Sequence, residues 1–416
     1  MSEDREVGKR VAAGSAIFLS FVVAMEIVIM ISPFAMFFYS VFNPFLTFLN
    51  SSSLTRWLAA FFLPHMVVPP DMPLQILRIV GSVLFVAGLA IFLICAIQVY
   101  SGKLFKRGPA KWGFYALVRH PQYVALAIAA LGMAIMWPRF LTLALFAVML
   151  FLYYLLAVSE ENRMLARFGD SYREYLNRMG MFAPRFIERI FVKDGHRRGP
   201  LTLAKGATIL VVLLIVTVGS GFILRSYTVR HLPLTNVGGV DVLTISDADN
   251  ENAKDLIPAL LADSSISAKL QPSLKGEGHR VLAYLIPIDY VMQGMIANTG
   301  DEYKLFERHK TIAMITEYIF HPYAHLISGH AHHMAMMTGR VHDSSMYNSP
   351  AMKRRVIFMD IFSPGQVLAG PTDDFGINVE RTPLLFADIH LHTAELLQVQ
   401  STPEGSGWGT VPTPMF

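Results

Sequence analysis

Two short stretches carry the chemistry most legible in this chain: Arg119-His120-Pro121-Gln122-Tyr123 and, after an apolar hairpin, Glu160-Glu161. Each sits at the rim of a membrane-length apolar run. An unpaired charge is costly there, so an arginine, a histidine and two adjacent carboxylates point to a site that binds something. Neighbouring positions on a helix point about 100° apart, so Glu160 and Glu161 cannot share one role; one is expected to bind and the other to brace.

A second group is rich in imidazole. Eleven of the fourteen histidines lie from His231 onward, most densely between His321 and Met337. On a helix His321 and His325 share a face, and on a strand His390 and His392 do so. Imidazole with methionine sulfur suits copper, and imidazole with Asp343, Asp360 or Asp388 suits zinc. The same residues serve equally as a Met-rich packing helix or an interface with a partner, because no ligand pattern such as His-Glu-x-x-His is present.

The elements that must position these groups are set by composition. Of 416 residues, 53% are hydrophobic and 16% charged, too apolar a balance for a soluble enzyme of this length. A single cysteine, Cys95, excludes an intrachain disulfide and the thiolate metal sites. The net charge of +4 gathers beside apolar segments, with no basic stripe interleaved with aromatics, so nucleic acid is not an expected partner.

Five spans are expected, about Gly14 to Phe42, Leu74 to Tyr100, Tyr123 to Trp137, Phe140 to Val158, and 206 to 224. The third is short, and Trp137-Pro138-Arg139 leaves almost no loop before the fourth. Between the first two, a short interfacial helix is expected near Leu54 to Phe62. Lys103, Lys106, Arg107, Lys111 and Arg119 follow the second span without an acid, and residues 159–205 hold ten Lys or Arg against six Asp or Glu. The positive-inside rule puts both segments, and the N-terminus, in the cytoplasm.

The expected domains are therefore a transmembrane domain over 1–224, a soluble α+β domain with a small sheet over 225–400, and an extended Pro/Gly-rich tail over 401–416. Five crossings place the second outside the membrane, in a periplasm or its equivalent. Arg225 and Arg230 stand just past the last span, mildly against that orientation. Strands are expected at Val240 to Ile245, Arg280 to Ile288, Arg355 to Phe362 and Leu384 to Val399, and helices at Glu251 to Ala262 and Glu302 to Met337.

Arg119-His120-Pro121-x-Tyr123, then a short hairpin, then Glu160-Glu161-x-x-x-Leu165-x-x-Phe168-Gly169-x-x-Tyr172-x-x-Tyr175 resembles the isoprenylcysteine carboxyl methyltransferase and phospholipid methyltransferase superfamily. The resemblance covers roughly residues 74–186. It implies an integral membrane enzyme using S-adenosylmethionine, with His120, Pro121, Tyr123 and Glu160 in the cofactor pocket and Arg119 and Glu161 against the acceptor. Pro121 is expected to free backbone carbonyls near that cofactor. The residue types fit: carboxylates for cationic and hydroxyl groups, a cation for a carboxylate, an aromatic slot for a base. One departure is Ala125, where many members carry glycine; it is expected to narrow the cofactor channel.

The function expected is thus methyl transfer to a lipid or other small amphiphile at the cytoplasmic face, with membrane lipid as the surrounding partner. The alternative is a non-catalytic accessory subunit that reuses this scaffold and docks to other membrane-complex subunits through residues 225–416.

Overall fold

The computed structural model describes residues 45–46, 48–64, 67, 69–105, 112–191, 202–245, 247–290, 293–297, 350–363 and 368–402. The expected first span, the Glu302 to Met337 helix and its histidines, and the tail beyond Thr402 lie outside these. The chain divides into two compact units, one containing Ile76–Ile223 and the other containing the segment up to Gln75 and the chain from Leu224 onward.

A single turn, α1 (Arg56–Ala59), belongs to the second unit. The first unit is helical, built from α2 (Met72–Leu104), α3 (Pro121–Met136), α4 (Phe140–Phe168), α5 (Asp170–Arg178), α6 (Arg185–Phe191) and α7 (Leu203–Arg230), with the first residues of α2 and the last of α7 counted in the second. Among the described residues three helices, α2, α4 and α7, are long and apolar enough to cross a membrane. With 16 residues, α3 reaches only about 24 Å, short of a hydrocarbon core of about 30 Å. α1 is far shorter than the helix expected near Leu54 to Phe62, because the chain becomes extended at Ala60.

What joins α2 to α3 is the absence of side chains. A Cβ built on Gly88 would stand 2.5 Å from the Ala129 nitrogen and 2.7 Å from the Ala125 oxygen, and one on Gly132 would stand 2.4 Å from the Phe85 nitrogen. Backbones approach this closely only where glycine and alanine line the seam, the means by which apolar helices associate without a hydrophobic driving force. Ala125, 1% exposed, belongs to this seam.

The last span was expected to end near residue 224, yet α7 continues to Arg230. Arg225 is buried inside it and donates to the backbone carbonyls of Phe61 and Phe375, within the second unit. Carbonyl acceptors, with no helix break, explain how a cation is tolerated there.

The second unit carries a six-stranded sheet in sequence order: β1 (Leu234–Val237), β2 (Val240–Thr244), β3 (His279–Pro287), β4 (Lys353–Phe362), β5 (Glu380–His390) and β6 (Leu396–Ser401). All neighbours run antiparallel except β2 and β3, which are parallel. That parallel pair needs a crossover, and α8 (Asp247–Leu261) and α9 (Ser264–Lys275) provide it. Asp263 caps α9 by accepting from the Ser265 and Ile266 amides.

Alternation along the strands selects the core. Val281, Ala283 and Leu285 of β3 join Leu256, Leu260 and Leu270 of the two helices, while Leu282, Tyr284 and Ile286 are buried on the other face. The single strand expected over Leu384 to Val399 is a hairpin, since Ala394 adopts φ 53° and the Ala394 amide donates to His390 O. β1 and α9 were not anticipated. A register shift opposite Phe358 and Met359 accommodates Pro383, which has no amide to give the ladder.

An ion cluster lies in this unit. Asp374 is fully buried with Arg280 Nε 3.0 Å away, and Arg280 also donates to the Asp241 carboxylate. Burial and the like charge of Asp241 outweigh Arg280 and push the Asp374 carboxyl up to about 8. Folding therefore takes up a proton at Asp374. Its contribution to stability is complete below the ordinary carboxylate range and is lost as pH rises from about 4 to about 8. In full-length protein, thermal midpoints should fall over that window, and Asp374→Asn should flatten the fall.

The helical seam gives a second expectation. Gly132→Val should cost about 1–3 kcal/mol through overpacking, read as a lower thermal midpoint. Gly219→Ala, with nothing within 4 Å of the added carbon, should not lower it.

Candidate functional site

The two charged stretches meet because three backbone features bring them together. Pro121 starts α3 at a position where a helix needs no amide donor. His120 O accepts from the Val124 amide at 3.2 Å, so the first turn of α3 closes normally. Before it, Val118 bridges Gly180 in parallel, with the Arg119 amide donating to Gly180 O at 2.9 Å and the His120 amide to Met181 O at 3.2 Å. Gly169, at φ 54°, separates α4 from α5 in a conformation a side chain would strain. α5 then buries Tyr172 and Tyr175, and the Tyr175 hydroxyl donates to Tyr115 O at 2.7 Å.

α4 delivers the carboxylates. Twenty residues, about 30 Å of helix, separate Phe140 from Glu160, so the apolar part of α4 ends where the acids begin. Glu161 continues the buried stripe of Tyr153 and Ala157, at i, i+4 and i+8. Glu160 is turned away from that stripe, its side chain 42% exposed against 12% for Glu161.

The polar contacts form one cluster. Glu161 Oε1 lies 3.3 Å from Arg119 Nε and 3.2 Å from His120 Nε2. His120 Nδ1 lies 3.5 Å from Glu160 Oε2, and the Tyr123 hydroxyl donates to Glu160 Oε1 at 2.9 Å. Burial alone would lower the His120 pKa; the hydrogen bonds to Glu160 and Glu161 outweigh it and raise the imidazole above its ordinary range. An imidazolium, with both nitrogens protonated, can donate to both carboxylates at once.

Aromatic rings wall the cluster. His120 stacks on Tyr123 at 5.6 Å and Tyr123 on Tyr153 at 5.0 Å, with Phe182 6.0 Å from His120. Beside them an apolar cavity of about 460 Å³ lies between α3, α4 and α7, and Ala125 does not line it. Ala125 lies in the α2–α3 seam.

The structure brings Arg119, His120, Pro121, Tyr123, Glu160 and Glu161 together. Tyr153, Phe182 and the Gly180–Met181 backbone were not anticipated. Tyr153 had a signal, its helical spacing to Glu160 and Glu161; Phe182 sits in a loop that no periodicity marks. His321 and His325 lie outside the described residues. His390 closes β5 and is buried, whereas His392 is exposed on the following turn, so the two do not share a strand face as expected. Among the described residues no group of three or more potential metal ligands forms.

Three helices long and apolar enough to cross a membrane, with this cluster where the apolar part of α4 ends, define an integral membrane protein. Residues 76–171 match the phospholipid methyltransferase family. Over 64 residues the chain is 39% identical to the Protein-S-isoprenylcysteine O-methyltransferase of Schizosaccharomyces pombe, an overlap of 15% of this chain and 27% of that protein. The chain thus spans about a quarter of that relative's length. No solved structure matches.

If the two carboxylates sustain the imidazolium, Glu160→Gln and Glu161→Gln should each lower the His120 pKa, as followed by NMR of labelled histidine. A titration unchanged in both variants would refute the assignment.

Proposed function

We propose that the protein is an S-adenosylmethionine-dependent membrane methyltransferase that acts on a lipid or small amphiphilic acceptor at the cytoplasmic face. The observation that carries this reading is the buried cluster of Arg119, His120, Tyr123, Glu160 and Glu161, inside the segment that matches the methyltransferase family. Its donor set fits the cofactor. A half-exposed carboxylate suits an ammonium or a ribose diol, and stacked rings suit a purine. S-adenosylmethionine, when bound, supplies a methyl group on a sulfonium with its leaving group built in.

The protein's own tasks are then to position the acceptor and exclude water. Glu160 and Tyr123 hold the cofactor's polar groups, and His120 and Pro121 shape the pocket around it. Glu161, buried between Arg119 and His120, fixes both cations and so acts as a positioning residue, with Arg119 facing the acceptor. A carboxylate or thiolate acceptor needs no general base, whereas an amine must first lose a proton. The basic segments 103–111 and 159–205 support a cytoplasmic site.

Isothermal titration of the purified protein with S-adenosylmethionine tests this. Glu160→Ala should weaken binding about tenfold or more, the loss expected for one charge-assisted hydrogen bond. No heat from wild type, with the variant behaving alike, would overturn the proposal.

A further inference from the structure

The cavity beside the polar cluster has a chemical direction. Tyr123, Ala127 and Leu131 form its wall along α3 at i, i+4 and i+8, a run of about 12 Å at 1.5 Å per residue. The polar groups lie at the Tyr123 end, where the hydroxyl is held by Glu160 and the ring is stacked on Tyr153. Leu131, with Phe146 of α4 among the other lining residues, lies away from that end. Its volume of about 460 Å³ lies within the ~300–1,000 Å³ of small-molecule sites.

The third wall comes from α7, through Ile209 and Leu213. This helix begins at Leu203, beyond the matched segment that ends at residue 171. Its protein-facing stripe is periodic: Gly206, Ile209, Leu213, Thr217 and Gly221 are less exposed than Val211, Val212, Ile215 and Val216 between them. Gly221 seats α7 against Phe140 and Leu143, where a Cβ would meet Leu143 Cδ1 at 2.6 Å. Ile209 and Leu213 are therefore held over the slot by packing elsewhere on the same helix.

We infer that this slot holds the hydrocarbon chain of the methyl acceptor, with its reacting head at the Tyr123–Glu160 end. Ile209 and Leu213 are the specificity-determining residues that set the length and girth of chain admitted. The occupant is a single-chain amphiphile, because the cavity is apolar along its length and polar at one end only. This inference rests on the methyltransferase reading for the identity of the head's reaction, while the chain slot is testable without it.

The test uses the full chain in phospholipid nanodiscs with a lysophospholipid carrying a diazirine near the end of its acyl chain. After photolysis, label should concentrate on the peptides holding Leu131, Phe146 and Ile209. Leu213→Trp should cut that labelling about tenfold, the scale on which an apolar pocket discriminates small changes in size. Leu213→Ala, which removes bulk and keeps the helix, should retain labelling and shift the preference to a longer or bulkier chain. Calorimetry with S-adenosylmethionine should be the same in both variants as in wild type. Label spread evenly over all lipid-facing helices and unmoved by either variant would overturn the inference. So would erasure of the label by the nanodisc's own two-chain phospholipid in excess, which would make the slot a bulk-lipid site. Saturable slot labelling without S-adenosylmethionine binding would support the slot and overturn methyl transfer, so the two failures are separable.

Discussion

A carboxylate only 9% exposed at the end of an apolar helix has to be neutralised by something within reach, and Glu161 is neutralised by Arg119 and His120. Those partners lie about forty residues earlier in the chain. The α3–α4 hairpin brings them near, and the Gly180–Met181 backbone then fixes Arg119 and His120 from the opposite side. Glu161 is thus shared between two cations, which ties Arg119 and His120 into one cluster. Glu160, one position away and far more exposed, keeps its remaining capacity for a ligand.

The apolar part of the unit answers a different constraint. α3 is too short to span a bilayer by itself, and its small residues let it lie against α2 at backbone distance. The seam consumes Gly81, Gly88, Ala125, Ala129 and Gly132, which leaves the opposite face of α3 to line the cavity. One helix thus spends one face on adhesion and the other on a slot.

In the second unit, charge is also buried, and its partners explain its survival. Arg225 takes the carbonyls of Phe61 and Phe375, Arg381 donates to Asp374 O at 2.8 Å, and Arg355 meets Asp388 through two hydrogen bonds of 2.6 Å. Asp374, with Asp241 as a like-charged neighbour, is the member of this set that burial keeps protonated. A sheet buried on both faces leaves its charges no water to turn to, so each must be matched by geometry.

The sequence by itself determined what local physics dictates. Apolar run lengths marked α2, α4 and α7, Trp137-Pro138-Arg139 marked the hairpin, and alternating apolar residues marked β2, β3 and β4. The two motifs announced the site because charge beside such runs needs a reason. Tertiary structure decided the rest. Whether Glu160 or Glu161 is the brace depends on which of two positions 100° apart continues the Tyr153–Ala157 stripe inward. The fate of Arg225 depends on carbonyls 164 and 150 residues away in sequence. The turn at Ala394 that splits a fourth expected strand into two is set by hairpin pairing. Most of all, Ile209 and Leu213 looked like any other lipid-facing residues of an apolar helix. Only the packing of α7 against α4 shows that they line a cavity, because hydrophobicity reports that a residue is buried or lipid-facing and carries no record of which neighbour it meets.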